Sequence, residues 1–158
     1  MNKLVSTLAA LVAFAAIGTA APAFAEQVKY MAALSSAEEV PPTNSAATGT
    51  VDATFDTETK VLTWTITYDG LTGDATAAHF HGPAAPGANA GPQVPIEGPL
   101  TSPISGTATL TDAQAADLAA GMWYFNVHTA QHPDGEIRGQ VVAGDASKMI
   151  DASSSSAM

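Results

Sequence analysis

Val61-Leu62-Thr63-Trp64-Thr65-Ile66-Thr67-Tyr68 reads as an amphipathic strand from end to end. Side chains on a strand alternate between faces with a period of two. Leu62, Trp64, Ile66 and Tyr68 therefore share one face, and Thr63, Thr65 and Thr67 share the other. Aromatic and β-branched residues suit a pleated, half-buried surface, and Asp69-Gly70 ends the run. One apolar face and one hydroxyl face indicate a sheet packed on a core from one side. Just upstream, residues 48–55 alternate in the same way, with Gly49, Val51, Ala53 and Phe55 on one face. Asp56-Thr57-Glu58-Thr59-Lys60 between the two runs is the length of a hairpin turn.

Further strands are expected at 28–34, 75–81, 104–110, 122–128 and 135–142. On the strand at 122–128, Trp123, Phe125 and Val127 take one face, and Tyr124, Asn126 and His128 the other. Pro41-Pro42 makes 36–42 a rigid connector, because proline cannot serve an inner ladder. Thr111-Asp112-Ala113-Gln114 reads as a capping box that starts a short helix, which Gly121 stops. Many closely spaced strands with a single helix predict an all-β fold, an antiparallel β-sandwich or Greek-key barrel. Residues 82–103, rich in Gly, Pro and Ala, are expected to form a long loop acting as a lid or wall.

The first 25 residues are expected to be a signal peptide. Lys3 gives a short positive start, an apolar run follows, and Ala23-Phe24-Ala25 is an A-x-A cleavage signal. The predicted location is periplasmic or secreted. The remainder is one domain over 26–143 and a disordered tail over 144–158 with four consecutive serines. There is no cysteine, which excludes disulfides and thiolate metal sites. With Lys3 removed, four Lys and Arg face 15 Asp and Glu, a net charge of about −11. Such a surface repels nucleic acid and anionic lipid headgroups and favours cations.

The chain has four histidines, and they fall in two clusters: His79 and His81, then His128 and His132. On a strand, His79 and His81 point the same way, one pleat apart, while Phe80 points to the other face. Such a pair makes half of a metal site, and four imidazoles suit copper, zinc or nickel, with Cu(II) bound most tightly. All four histidines are candidate ligands of one copper ion, with zinc as the competing metal. Asp134 and Glu136 are candidate acceptors for the outer N–H groups of ligand imidazoles. Arg138 is the sole arginine, six residues past His132, and is the candidate catalytic residue that would hold or guide a small anion such as superoxide. Glu136, Arg138 and Gln140 are expected on one face of the last strand. Trp64, Trp123 and Phe125 are expected in the core.

Four segments in order carry a family likeness: Glu38-Glu39-Val40-Pro41-Pro42, Ala78-His79-Phe80-His81-Gly82-Pro83, Trp123-Tyr124-Phe125-Asn126-Val127-His128-Thr129, and His132-Pro133-Asp134-Gly135-Glu136-Ile137-Arg138-Gly139-Gln140. Together they resemble the CHRD family, named for a domain of chordin and common in exported bacterial proteins. The resemblance spans about 27–142 and implies a β-sandwich domain. A local likeness to Cu/Zn superoxide dismutase also exists. That family carries His-x-His on a strand of an antiparallel sandwich, with an Arg beside its copper. His79 and His81 resemble the strand pair, and Arg138 the anion-guiding Arg. The disulfide and the separate zinc site of that family have no counterpart here.

Three functions follow as expectations. The first is an exported copper-binding protein with an all-histidine mononuclear site. The second is a copper-dependent, superoxide dismutase-like enzyme. The third is a structural or protein-interaction module without metal, whose protein partner the sequence does not name.

Overall fold

The computed structural model describes residues 26–144. The expected signal peptide and nearly all of the expected tail lie outside them. Among the described residues, eight strands form one antiparallel sheet: β1 (Gln27–Ser35), β2 (Thr48–Asp56), β3 (Val61–Asp69), β4 (Ala75–His81), β5 (Pro92–Pro95), β6 (Ile104–Thr109), β7 (Trp123–Thr129) and β8 (Ile137–Ala143). A short 3-10 turn covers Ser36–Glu38, and one helix, α1, covers Asp112–Ala119. The strand order is β5-β4-β7-β8-β1-β2-β3-β6. The sheet curls into a nearly closed barrel, so the fold is the barrel alternative rather than two facing sheets. Among the described residues, no helix is long and apolar enough to cross a membrane.

The core shows why the sheet must curl. Trp64 on β3 and Phe80 on β4 have four strands between them in the sheet, yet their rings meet edge to face at 5.3 Å. Phe80 also meets Phe125 of β7 at 4.8 Å. Leu62, Ile66, Val51, Val127, Ile137 and Val141 are 0% exposed around them. A flat sheet would leave these rings on an open face; curling turns that one apolar face inward and removes it from water at about 25 cal/mol per Å².

Local chemistry sets the elements. The β2–β3 turn is held by Asp56, whose Oδ1 accepts from the backbone N–H of Glu58 and Thr59. The turn ends at Lys60, which has φ 61°. The capping box of α1 is complete: Gln114 N–H donates to Thr111 Oγ1, and Thr111 N–H to Gln114 Oε1. Leu118, 0% exposed, is the helix's anchor in the core.

Two expectations change. The stretch 82–103 is not one loop, because β5 lies within it and pairs with β4 through Phe80↔Val94. Val94 reaches the core, and prolines at both ends of β5 suit an edge strand. Glu136 also parts from Arg138 and Gln140. It precedes β8, and its carboxylate turns to Ser45, Thr72 and Thr129.

Candidate metal centre

β4, β7 and β8 lie side by side, and their outward residues carry the site. The register pairs His79 with Asn126, His81 with Tyr124, Asn126 with Arg138, and Tyr124 with Gln140. Alternation puts Phe80, Phe125 and Val127 into the barrel and these polar side chains on its outer face. That face is not bare. The segment 82–91 crosses it as a strap: Gln140 Nε2 donates to Ala84 O, and Arg138 reaches residues 88 and 89. Tyr124, Asn126 and Arg138 are consequently 3%, 3% and 2% exposed although they point away from the core.

His79, His81 and His128 come together. One ring nitrogen from each lies within 4.8 Å of the other two, and His79 Nδ1 is 3.2 Å from His128 Nε2. Second nitrogens are tied down at two of the three rings. His81 Nδ1 donates to Ala90 O at 2.9 Å, and His128 Nδ1 to Pro133 O at 2.9 Å. Both bonds fix the tautomer with Nε2 unprotonated, the form that ligates a metal. His81 Nε2 is buried and has no hydrogen-bond partner. A buried polar atom left without a partner calls for a water or an ion.

Electrostatics favour the neutral ligand form. Burial, followed by the charges of His128 and His81, pushes His79 below the usual imidazole value. His81 is lowered first by burial, against the bond to Ala90. Burial lowers His128 too, against Pro133 O and the charge of Asp134. Metal ions compete with protons for imidazole nitrogen, so lowered values ease binding.

The other sequence-derived candidates lie around this group. His132 is not brought into it; it sits in the β7–β8 turn, where its backbone N–H and C=O bond to Thr129. Arg138 lies under the strap with its guanidinium 3.4 Å from the centre of the Tyr124 ring. The outer acceptors are the carbonyls of Ala90 and Pro133, not the carboxylates of Asp134 and Glu136. Asp134 acts on His128 only as a nearby charge.

Glu39 is the residue that sequence reasoning missed. It is 6% exposed, its Oε1 has no hydrogen-bond partner, and Arg138 and Asn126 adjoin it. Nothing in Glu38-Glu39 tells the exposed acid from the buried one. Only the packing against Gly135 does so: a Cβ there would stand 2.4 Å from Glu39 Oε1.

The family model described as CHRD domain matches residues 30–141. No curated protein and no solved structure matches the chain.

Proposed function

Starting from a chain that belongs to the CHRD-domain family, we propose that it is an exported metal-binding protein that holds one copper ion through His79, His81 and His128. Zinc is the competing metal. The observation that carries this reading is the convergence of three imidazoles, with one ring nitrogen of each within 4.8 Å of the other two and two of the rings held by backbone carbonyls. An all-nitrogen donor set without thiolate suits Cu(II) and Zn(II), and the divalent order favours copper. The acidic chain attracts cations in general, and the histidines supply the selectivity.

The test is metal analysis and titration of the purified protein beside a His79→Ala/His81→Ala variant. Wild type should bind one equivalent of Cu(II), with a d–d band and an EPR signal, and the variant should not. Equal binding by both proteins refutes the site, and binding of zinc alone, which is d¹⁰ and silent in both spectra, gives the site to zinc.

A second reading, a superoxide dismutase-like enzyme, draws support from the count of three. Three protein ligands leave a tetrahedral site one position for a small molecule, whereas four would close it. Copper, when bound, supplies one-electron redox chemistry. The chain's own part would be to hold the ion with three neutral imidazoles and to present positive charge from Arg138, through the strap, to an incoming superoxide. Superoxide removal by the copper-loaded protein, measured with free copper chelated, tests this. A rate no better than chelated buffer leaves a copper carrier.

A further inference from the structure

Arg138 has work to do before any anion arrives. Its Nη1 donates to Asn89 Oδ1 at 2.7 Å and its Nη2 to Ala88 O at 2.6 Å. Its guanidinium carbon sits over the Tyr124 ring. Tyr124 in turn stacks on His81, with ring centres 4.8 Å apart and planes 5° from parallel. The Tyr124 hydroxyl donates to Ala90 O at 3.0 Å and accepts from Ala90 N–H at 3.2 Å. Ala90 O is also the acceptor for His81 Nδ1. Guanidinium, phenol and imidazole thus line up across β8, β7 and β4, and residues 88–90 of the strap tie all three together.

We propose that Arg138 is a positioning residue for the metal centre: by clamping residues 88 and 89 it places the Ala90 carbonyl that takes the His81 Nδ1 proton and leaves Nε2 as the ligand atom. The inference rests on the metal reading of His81. A neutral imidazole has two tautomers, and the hydrogen bond to one nitrogen decides which is present. With the proton on Nε2, His81 could not ligate through that atom. Strap residues 85–89 are exposed and include Gly87 at φ 79°, so this stretch has little burial of its own to hold residue 90 in place and relies on hydrogen bonds, those from Arg138 and one from Asn89 Nδ2 to Val40 O. The planar fork of Arg can grip two acceptors at once, which a lysine ammonium on its single stem does not reproduce.

The experiment uses the ¹⁵N-labelled full-length protein, metal-free at pH 8, in three forms: wild type, Arg138→Lys and Asn89→Ala. Long-range ¹H–¹⁵N spectra report the His81 tautomer; Cu(II) titration and pulsed EPR then report affinity and the number of bound imidazoles. Wild type should show His81 protonated at Nδ1 and three imidazoles on copper. Arg138→Lys should show a tautomer mixture, a 10–100-fold weaker affinity, the usual cost of losing an outer partner, and fewer than three imidazoles. Asn89 is exposed, so Asn89→Ala leaves the barrel intact and should move the same readouts in the same direction, less far. An unchanged tautomer and affinity in both variants overturns the role of Arg138. The tautomer measurement needs no metal, so a wild-type protein that binds no copper would refute the metal assignment separately.

Discussion

Glu136 and Glu39 are both buried carboxylic acids, and their surroundings drive them in opposite directions. Burial raises Glu136, but hydroxyls of Ser45, Thr129 and Thr72 and the Thr72 N–H outweigh it and hold the carboxyl at about 2. A folded value below the unfolded one means that this stabilisation is complete above about pH 4.5 and lost as pH falls through 2. Glu136→Gln should cost about 3 kcal/mol in chemical denaturation at pH 7, since four donors then face a neutral amide with one acceptor oxygen. A loss below about 0.5 kcal/mol would mean the cluster adds little. For Glu39, burial dominates the charge of Arg138 and the bonds from Asn126 and Val40, and raises the carboxyl to about 7. A raised folded value works the other way: the contribution is complete below pH 4.5 and lost as pH rises through 7. Between pH 5 and pH 8, wild type should therefore lose about 1–2 kcal/mol relative to Glu39→Gln. The same difference between the two proteins at both pH values would refute it. His79, His81 and His128 are all lowered, chiefly by burial. Their imidazole C–H signals in the metal-free protein should titrate with midpoints below the ordinary 6.5; a midpoint at or above 6.5 would contradict the burial.

The contacts between elements turn on two glycines. β8 approaches β1 so closely at Gly139 that a Cβ would stand 2.1 Å from Ala33 O, a backbone atom that cannot step aside. Gly139→Ala should destabilise the barrel by about 2–3 kcal/mol or push β1 and β8 apart, visible as amide exchange between them. Gly135, at φ 129°, lets the β7–β8 turn close over Glu39 and Asn126. An added Cβ would displace Glu39 and strain the turn that supplies Pro133 O to His128. Gly135→Ala should thus weaken copper binding without touching a ligand, and unchanged affinity would show that the turn is not coupled to the centre.

At the scale of the whole molecule, a ligand that binds only the folded barrel must raise its melting temperature. Cu(II) in slight excess should raise it in wild type and leave the His79→Ala/His81→Ala variant unmoved. No shift in wild type would favour the rival view of this CHRD domain as a structural or interaction module. One end strand of the sheet is blunted as a template for pairing: β5 is four residues long with proline at both ends.

Period-two patterns were enough to place strands at residues that became β1, β2, β3, β4, β6, β7 and β8, because alternation is a property of the chain itself. The capping box of Thr111 and Gln114 was equally local and held in full. So was the pairing of His79 with His81 on one face, which needs only a strand. By itself the sequence thus determined the all-β antiparallel class, the helix and the placing of His79 and His81 side by side as candidate ligands. The rest lay in contacts that join residues far apart in the chain. The choice of a barrel over a sandwich depends on Trp64 meeting Phe80 across the curled sheet. The selection of His128 rather than His132 depends on the β4–β7 register, which carries one ring to His79 and leaves the other in a turn. Burial of Glu39, and of Arg138 on the outer face of its strand, comes from chain segments 36–47 and 82–91 folding over that surface. β5 was hidden because four residues between two prolines carry too short a pattern to read. Spacing can reveal which residues share a face; only tertiary packing decides which faces meet and which are covered.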